Sequence, residues 1–168
     1  MKSVSGRLVI ITILSLALAA AAGSWWFRYA ATHKTAQHWG PAAARLIRGA
    51  PRVKFYRLGT ANERTTHLDL KGGTDISNMP GLTHLRYALL EDESYEWPAR
   101  TNPMDVSHWR WAIRFANQRN DEDVLLLFSE DWAEVTTFPW TPVVSSRPIA
   151  DGLATMFAEL AQQEQAAR

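Results

Sequence analysis

The chain has 168 residues, no cysteine and a formal net charge of +1. The lack of cysteine excludes disulfides, thiolate chemistry and Cys-based metal sites. The near-neutral total hides a split: residues 1–62 carry nine basic residues and no acid, while residues 63–168 carry nine basic against seventeen acidic residues, a net −8. A basic neck joined to an acidic body, with no recognisable nucleic-acid-binding motif, argues against a nucleic-acid partner.

Residues 1–7, with Lys2 and Arg7, form a short positive flank. Leu8 to Phe27 then runs for twenty residues without a charge. As a helix this run is about 30 Å long, the thickness of a bilayer's hydrocarbon core. Three readings compete. A buried core helix rarely lacks a polar face over such a length. A cleaved signal peptide fits Lys2, Arg7 and the small residues Ala20-Ala21-Ala22. An uncleaved anchor fits best, because the apolar run continues past the alanines into Trp25, Trp26, Phe27 and Arg28, residue types suited to a membrane–water interface. The basic N-terminus of a single span is expected in the cytoplasm, with the rest of the chain in the periplasm of a bacterial inner membrane.

Residues 28–51 read as a basic juxtamembrane neck. Tyr29 to His38 can continue the helix, and Gly40-Pro41 breaks or kinks it. A short helix from Ala42 to Arg48 is expected next, ended by Gly49 and Pro51. Arg45, Arg48 and Arg52 are candidate contacts for anionic headgroups or an acidic partner.

Residues 52–163 read as a small α+β domain. Val53 to Leu58 is a strand, and His67 to Leu70 a possible second one. Lys71-Gly72-Gly73-Thr74 is a turn. A helix is expected from near Ser77–Pro80 to Asp92, with Met79, Leu82, Leu85 and Leu89 on one stripe. Glu91 to Asp105 reads as a loop. Three strands follow as an antiparallel meander: Trp109 to Asn117, Val124 to Phe128 and Trp132 to Phe138. In the first, Trp109, Trp111, Ile113 and Phe115 are expected on one face and Arg110 and Arg114 on the other. Pro139 and Pro142 bar extension of the last. A final helix from Pro148 to Gln163 carries the apolar stripe Ile149, Leu153, Met156, Phe157 and Leu160, with Ser146 as its N-cap. Residues 164–168 are a polar tail. The expected architecture is an antiparallel sheet, a meander plus one or two N-terminal strands, with two helices on one face.

Val124 to Phe128 is apolar on both faces, so both must be covered. The second cover is either the loop 91–108 folded back, or the neck, a membrane, a second copy or a protein partner. Trp109, Arg110, Trp111 and Arg114 join the neck arginines as candidate interaction residues. The chemistry is sparse: no nucleophile elbow, phosphate loop, dinucleotide fingerprint or zinc-protease motif is present. Glu91-Asp92-Glu93 lacks the order of a calcium loop and reads as a solvated helix end. No cofactor or metal is expected. The expected function is a single-pass anchored, non-catalytic accessory or scaffold protein, with the bilayer and a protein as partners. The alternatives are a tethered ligand-binding or enzymatic domain using His67, Asp69, His84 and Arg86, and a self-associating envelope protein.

Overall fold

A computed structural model of the chain describes residues 6–58, 70, 72–100, 108–139 and 141–166. Helix α1 (Gly6–Gly49) opens the chain. Its window Val9–Trp26 has a mean hydropathy of 1.9 and none of it is buried against the rest of the protein. Leu14, Leu16 and Leu18 all face outward. Water is a poor solvent for such a surface, and this stretch is long and apolar enough to cross a membrane. Within α1 the backbone turns sharply at Gly40, with φ 78° and ψ 161°, a conformation open to glycine and strained for other residues. Pro41 follows, its missing N–H harmless at the start of the next helical stretch.

From Trp39 onward α1 is a core element. Trp39, Ala44, Leu46, Ile47 and Ala50 are buried in one cluster with the sheet. The helix stops where Arg86 takes its last carbonyls, Nη2 donating to Ala50 at 2.6 Å and Nη1 to Ile47 at 3.3 Å. These are acceptors that a helix end leaves open.

The described residues form an antiparallel sheet of seven strands, in the order β2-β1-β4-β5-β6-β7-β3. They are β1 (Arg52–Arg57), β2 (Thr74–Asp75), β3 (Glu96–Arg100), β4 (Trp109–Asn117), β5 (Glu122–Ser129), β6 (Glu134–Phe138) and β7 (Val143–Ser145). Helix α2 (Leu82–Ala88) and helix α3 (Arg147–Ala166) complete the α+β fold, with a 3-10 turn at Asp92–Ser94.

Seven strands exceed the four or five read from the sequence. β2 lies where a turn was expected, and β7 lies beyond the two prolines. β3 lies within the expected loop 91–105, its period of two hidden by Pro98. Trp97 and Ala99 pack on the core while Glu96, Pro98 and Arg100 face out. Pro98 is tolerated because β3 is an edge strand, and its missing N–H also blunts that edge. The short strand β2 forms the other edge. The helix expected to reach Asp92 stops at Ala88 because the Leu89 carbonyl leaves the ladder. It accepts instead from Trp39 Nε1 at 3.2 Å and Tyr95 Oη at 2.9 Å. The last meander strand begins at Glu134, since Trp132 sits in a turn at φ 61°. The hydroxyl of Ser146 donates to the Trp132 carbonyl at 2.7 Å, tying that turn to the start of α3. The expected strand from His67 falls outside the described residues as far as Asp69.

Val53, Ile113, Phe115, Val124, Leu126, Phe128, Val135 and Val144 face a core roofed by three helices instead of the expected two: α1 beyond the kink, α2 and α3. On the opposite face Tyr56, Leu58, Trp109, Ala112, Leu125 and Leu127 form a second buried cluster, with Leu70 and Val143 against it. Gly73 lies so close to Tyr56 that an added Cβ would collide with its ring. Tyr95 and Trp97 belong to the first cluster, so this part of the stretch expected to fold over the second face lies on the helix side, while Met104 falls outside the described residues. Both faces of β5 are thus buried by the chain itself. The expected placement of Trp109 also changes. A bulge between Trp109 and Trp111 adds one residue to β4. Such a bulge reverses the alternation. Trp109 joins the second cluster, and Trp111 stays with Ile113 and Phe115.

Candidate functional site at the junction of the apolar helix and the sheet

The most distinctive local chemistry lies where the exposed half of α1 meets the head, the part formed by the sheet and its covering helices. Along α1, Trp25 stacks on Tyr29 with centroids 5.8 Å apart, and Tyr29 meets His33 at 5.2 Å. Both pairs are four residues apart, the spacing that places side chains one above another on a helix. One turn further on, Asp92 of the 3-10 turn reaches into α1. Its Oδ2 accepts from Lys34 N at 3.0 Å, and its Oδ1 from Thr35 N and Thr35 Oγ1, both at 2.7 Å. In an uninterrupted helix those two N–H groups serve the carbonyls of Ala30 and Ala31. A carboxylate that gathers them acts as an N-cap supplied from far along the chain. Thr35 is fully buried under it. The Asp92 carbonyl in turn accepts from Trp97 Nε1 at 3.1 Å, which holds the 3-10 turn in place.

Below this clamp lies an aromatic cluster. Trp39 meets Tyr95 edge-on at 5.8 Å, and Tyr95 meets Trp97 at 5.9 Å. His38 lies against Trp39 at 4.4 Å and Trp97 at 5.4 Å, both edge-on. Burial lowers the His38 pKa, and a bond to the Pro142 carbonyl opposes this only in part. Burial raises the pKa of the Tyr95 phenol. These residues join the lower part of α1 to the core.

The residues read from the sequence are not gathered into one site. Trp25 and Trp26 are exposed. The side chains of Phe27 and Arg28 lie outside the described residues. Arg45 and Arg48 are exposed on one side of α1 and have no ion-pair partner among the described residues. Arg52 approaches Asp75 at 4.0 Å. Arg110 pairs with Glu130 at 3.7 Å. Trp111 Nε1 donates to the Glu130 carbonyl at 3.1 Å, and the Arg57 guanidinium lies over its ring at 5.6 Å. Arg114 donates to Asp123 at 2.5 Å. Arg110, Trp111 and Arg114 are therefore engaged within the chain, and Arg114 lines one surface pocket with Arg52. Of the alternative ligand site, His67 and Asp69 fall outside the described residues, His84 is exposed on α2, and Arg86 is committed to α1. Among the described residues no three His, Asp or Glu side chains converge as metal ligands. Asp92, His38 and Tyr95 went unrecognised as a site, because their meeting is set by chain reversal and leaves no local spacing to read.

The Arg114–Asp123 pair tests how the β4 charges are used. Both side chains are over two-fifths exposed. Replacing either with alanine is expected to cost less than about 1 kcal/mol in urea unfolding, as solvent screens such pairs. A larger loss would show that the second face depends on them.

Comparison with protein-family models, characterised proteins and solved structures gave no match to the chain.

Proposed function

We propose that this protein is a single-pass membrane-anchored, non-catalytic accessory protein that binds other membrane or periplasmic proteins. One observation carries the reading: the helix whose first half is apolar and exposed continues into the head's core and is clamped there by Asp92. In a bilayer, this arrangement fixes the head relative to its span, as suits a protein that presents a surface to neighbours in the same membrane. The short basic N-terminus supports a head outside the cytoplasm. Arg45 and Arg48 support the contact surface, being exposed cations on the domain side of the clamp. With its central strand β5 buried on both faces, the head leaves polar contacts as the natural mode of binding; its exposed large hydrophobics among the described residues are Tyr87 and Phe138.

The test is affinity purification of the tagged full-length protein from its own membranes in mild detergent, with native mass determination. A stoichiometric partner is expected, and a lone monomer would overturn the reading. In the Arg45→Glu, Arg48→Glu double variant, partner recovery is expected to fall roughly tenfold, since opposed charges at an interface set specificity. Stability should change by no more than about 0.5 kcal/mol, as is usual for exposed positions. Unchanged recovery would remove the neck from the interface.

A further inference from the structure

His38 lies two residues before Gly40, where the backbone of α1 turns sharply. Its Nε2 is buried without a hydrogen-bond partner, and its half-buried ring lies edge-on against Trp39 and Trp97. We propose that His38 is a proton-sensitive latch: when its imidazole takes a proton from water, the clamp between α1 and the 3-10 turn opens more often and the span half pivots at Gly40. The charged groups on the surrounding elements do not hold the ring protonated. On the 3-10 turn, both Asp92 oxygens are engaged by Lys34 and Thr35, and Glu93 is exposed. On β3, Glu96 accepts from the Ser145 hydroxyl. On α1, Lys34 is exposed. Around Pro142, residues 141–142 carry no charge. Protonation therefore places a donor and a positive charge where neither is matched.

Burial favours the neutral ring in the docked state, so the docked state is fully stabilised above the pKa of the freed ring. It loses that stabilisation as pH falls from there toward the docked ring's lower pKa. The device does not depend on a binding partner, so its failure leaves the accessory role standing.

The test is amide exchange of the full-length protein in detergent at pH 7.5 and 5.5, corrected for intrinsic rates. In the wild type, protection at Lys34 and Thr35 is expected to fall several-fold at the lower pH. In His38→Phe and His38→Gln the fall should vanish. Equal pH dependence in wild type and either folded variant would overturn the proposal, as would a wild type without pH dependence. Should both variants fail to fold, the wild-type His38 resonance, assigned through its contacts to Trp39 and Trp97, decides. A midpoint below that of the same ring in the unfolded protein supports the latch, and one at or above it overturns it.

Discussion

Replacing Trp39 with alanine is expected to destabilise the head by about 3–5 kcal/mol, the usual cost of emptying a buried aromatic site. Trp39 is 5% exposed, packs edge-on against Tyr95, and donates its indole N–H to the Leu89 carbonyl. It lies before the kink, so its removal opens a gap between the apolar, exposed side of α1 and the core beneath it. Trp39→Phe keeps most of the volume and loses one hydrogen bond, whose acceptor still has Tyr95 Oη. Its cost should be nearer 1 kcal/mol. Urea unfolding of the full-length protein in mild detergent measures both. A loss below about 1 kcal/mol for the alanine variant would mean that the neck merely rests on the head.

Asp92→Ala is the second large effect. The carboxylate accepts two backbone N–H bonds and the Thr35 hydroxyl. Loss of an N-cap alone costs about 1–2 kcal/mol. Here the Thr35 donors are also left in a fully buried position. An unsatisfied buried donor adds about 1–3 kcal/mol, so a total near 2–4 kcal/mol is expected. Asp92→Asn retains an acceptor and should lose about half of that. Amide exchange localises the effect. Protection should fall at Lys34 and Thr35 and remain in β4 and β5, which lie at the centre of the sheet. Equal loss throughout would show that Asp92 supports the whole fold and is no junction clamp.

Those features that depend on one continuous segment were legible in the sequence. The apolar half of α1 shows as an uncharged run. The stripe on α3 shows as a spacing, and Leu153 and Phe157 are indeed buried, with Ile149, Met156 and Leu160 packed partly against the core. The α+β class and the antiparallel sheet follow from apolar alternation and short polar turns. What stayed hidden depends on distant partners. β3 hides behind Pro98, whose tolerance comes from its edge position, and edge position is a property of the whole sheet. The face of Trp109 is set by a one-residue bulge that alternation does not reveal. Asp92 lies between two other acids and has the local look of solvated charge. Its role depends on backbone donors 57 and 58 residues earlier. The central strand was read correctly as apolar on both sides. Its burial within the chain then removes one motive for a partner, and the junction and the neck arginines become the better grounds for one.

The absence of cysteine allows the central claim to be tested by single-cysteine labelling in intact membranes with an impermeant maleimide. Leu16→Cys, in the middle of the apolar stretch, should stay unlabelled in membranes turned either way. Lys34→Cys, an exposed side chain beside the clamp, should label from the head's side alone. That pattern is what an anchored head with a continuous helix predicts. Labelling of Leu16→Cys in intact membranes, or recovery of the head as a soluble protein lacking that residue, would contradict it.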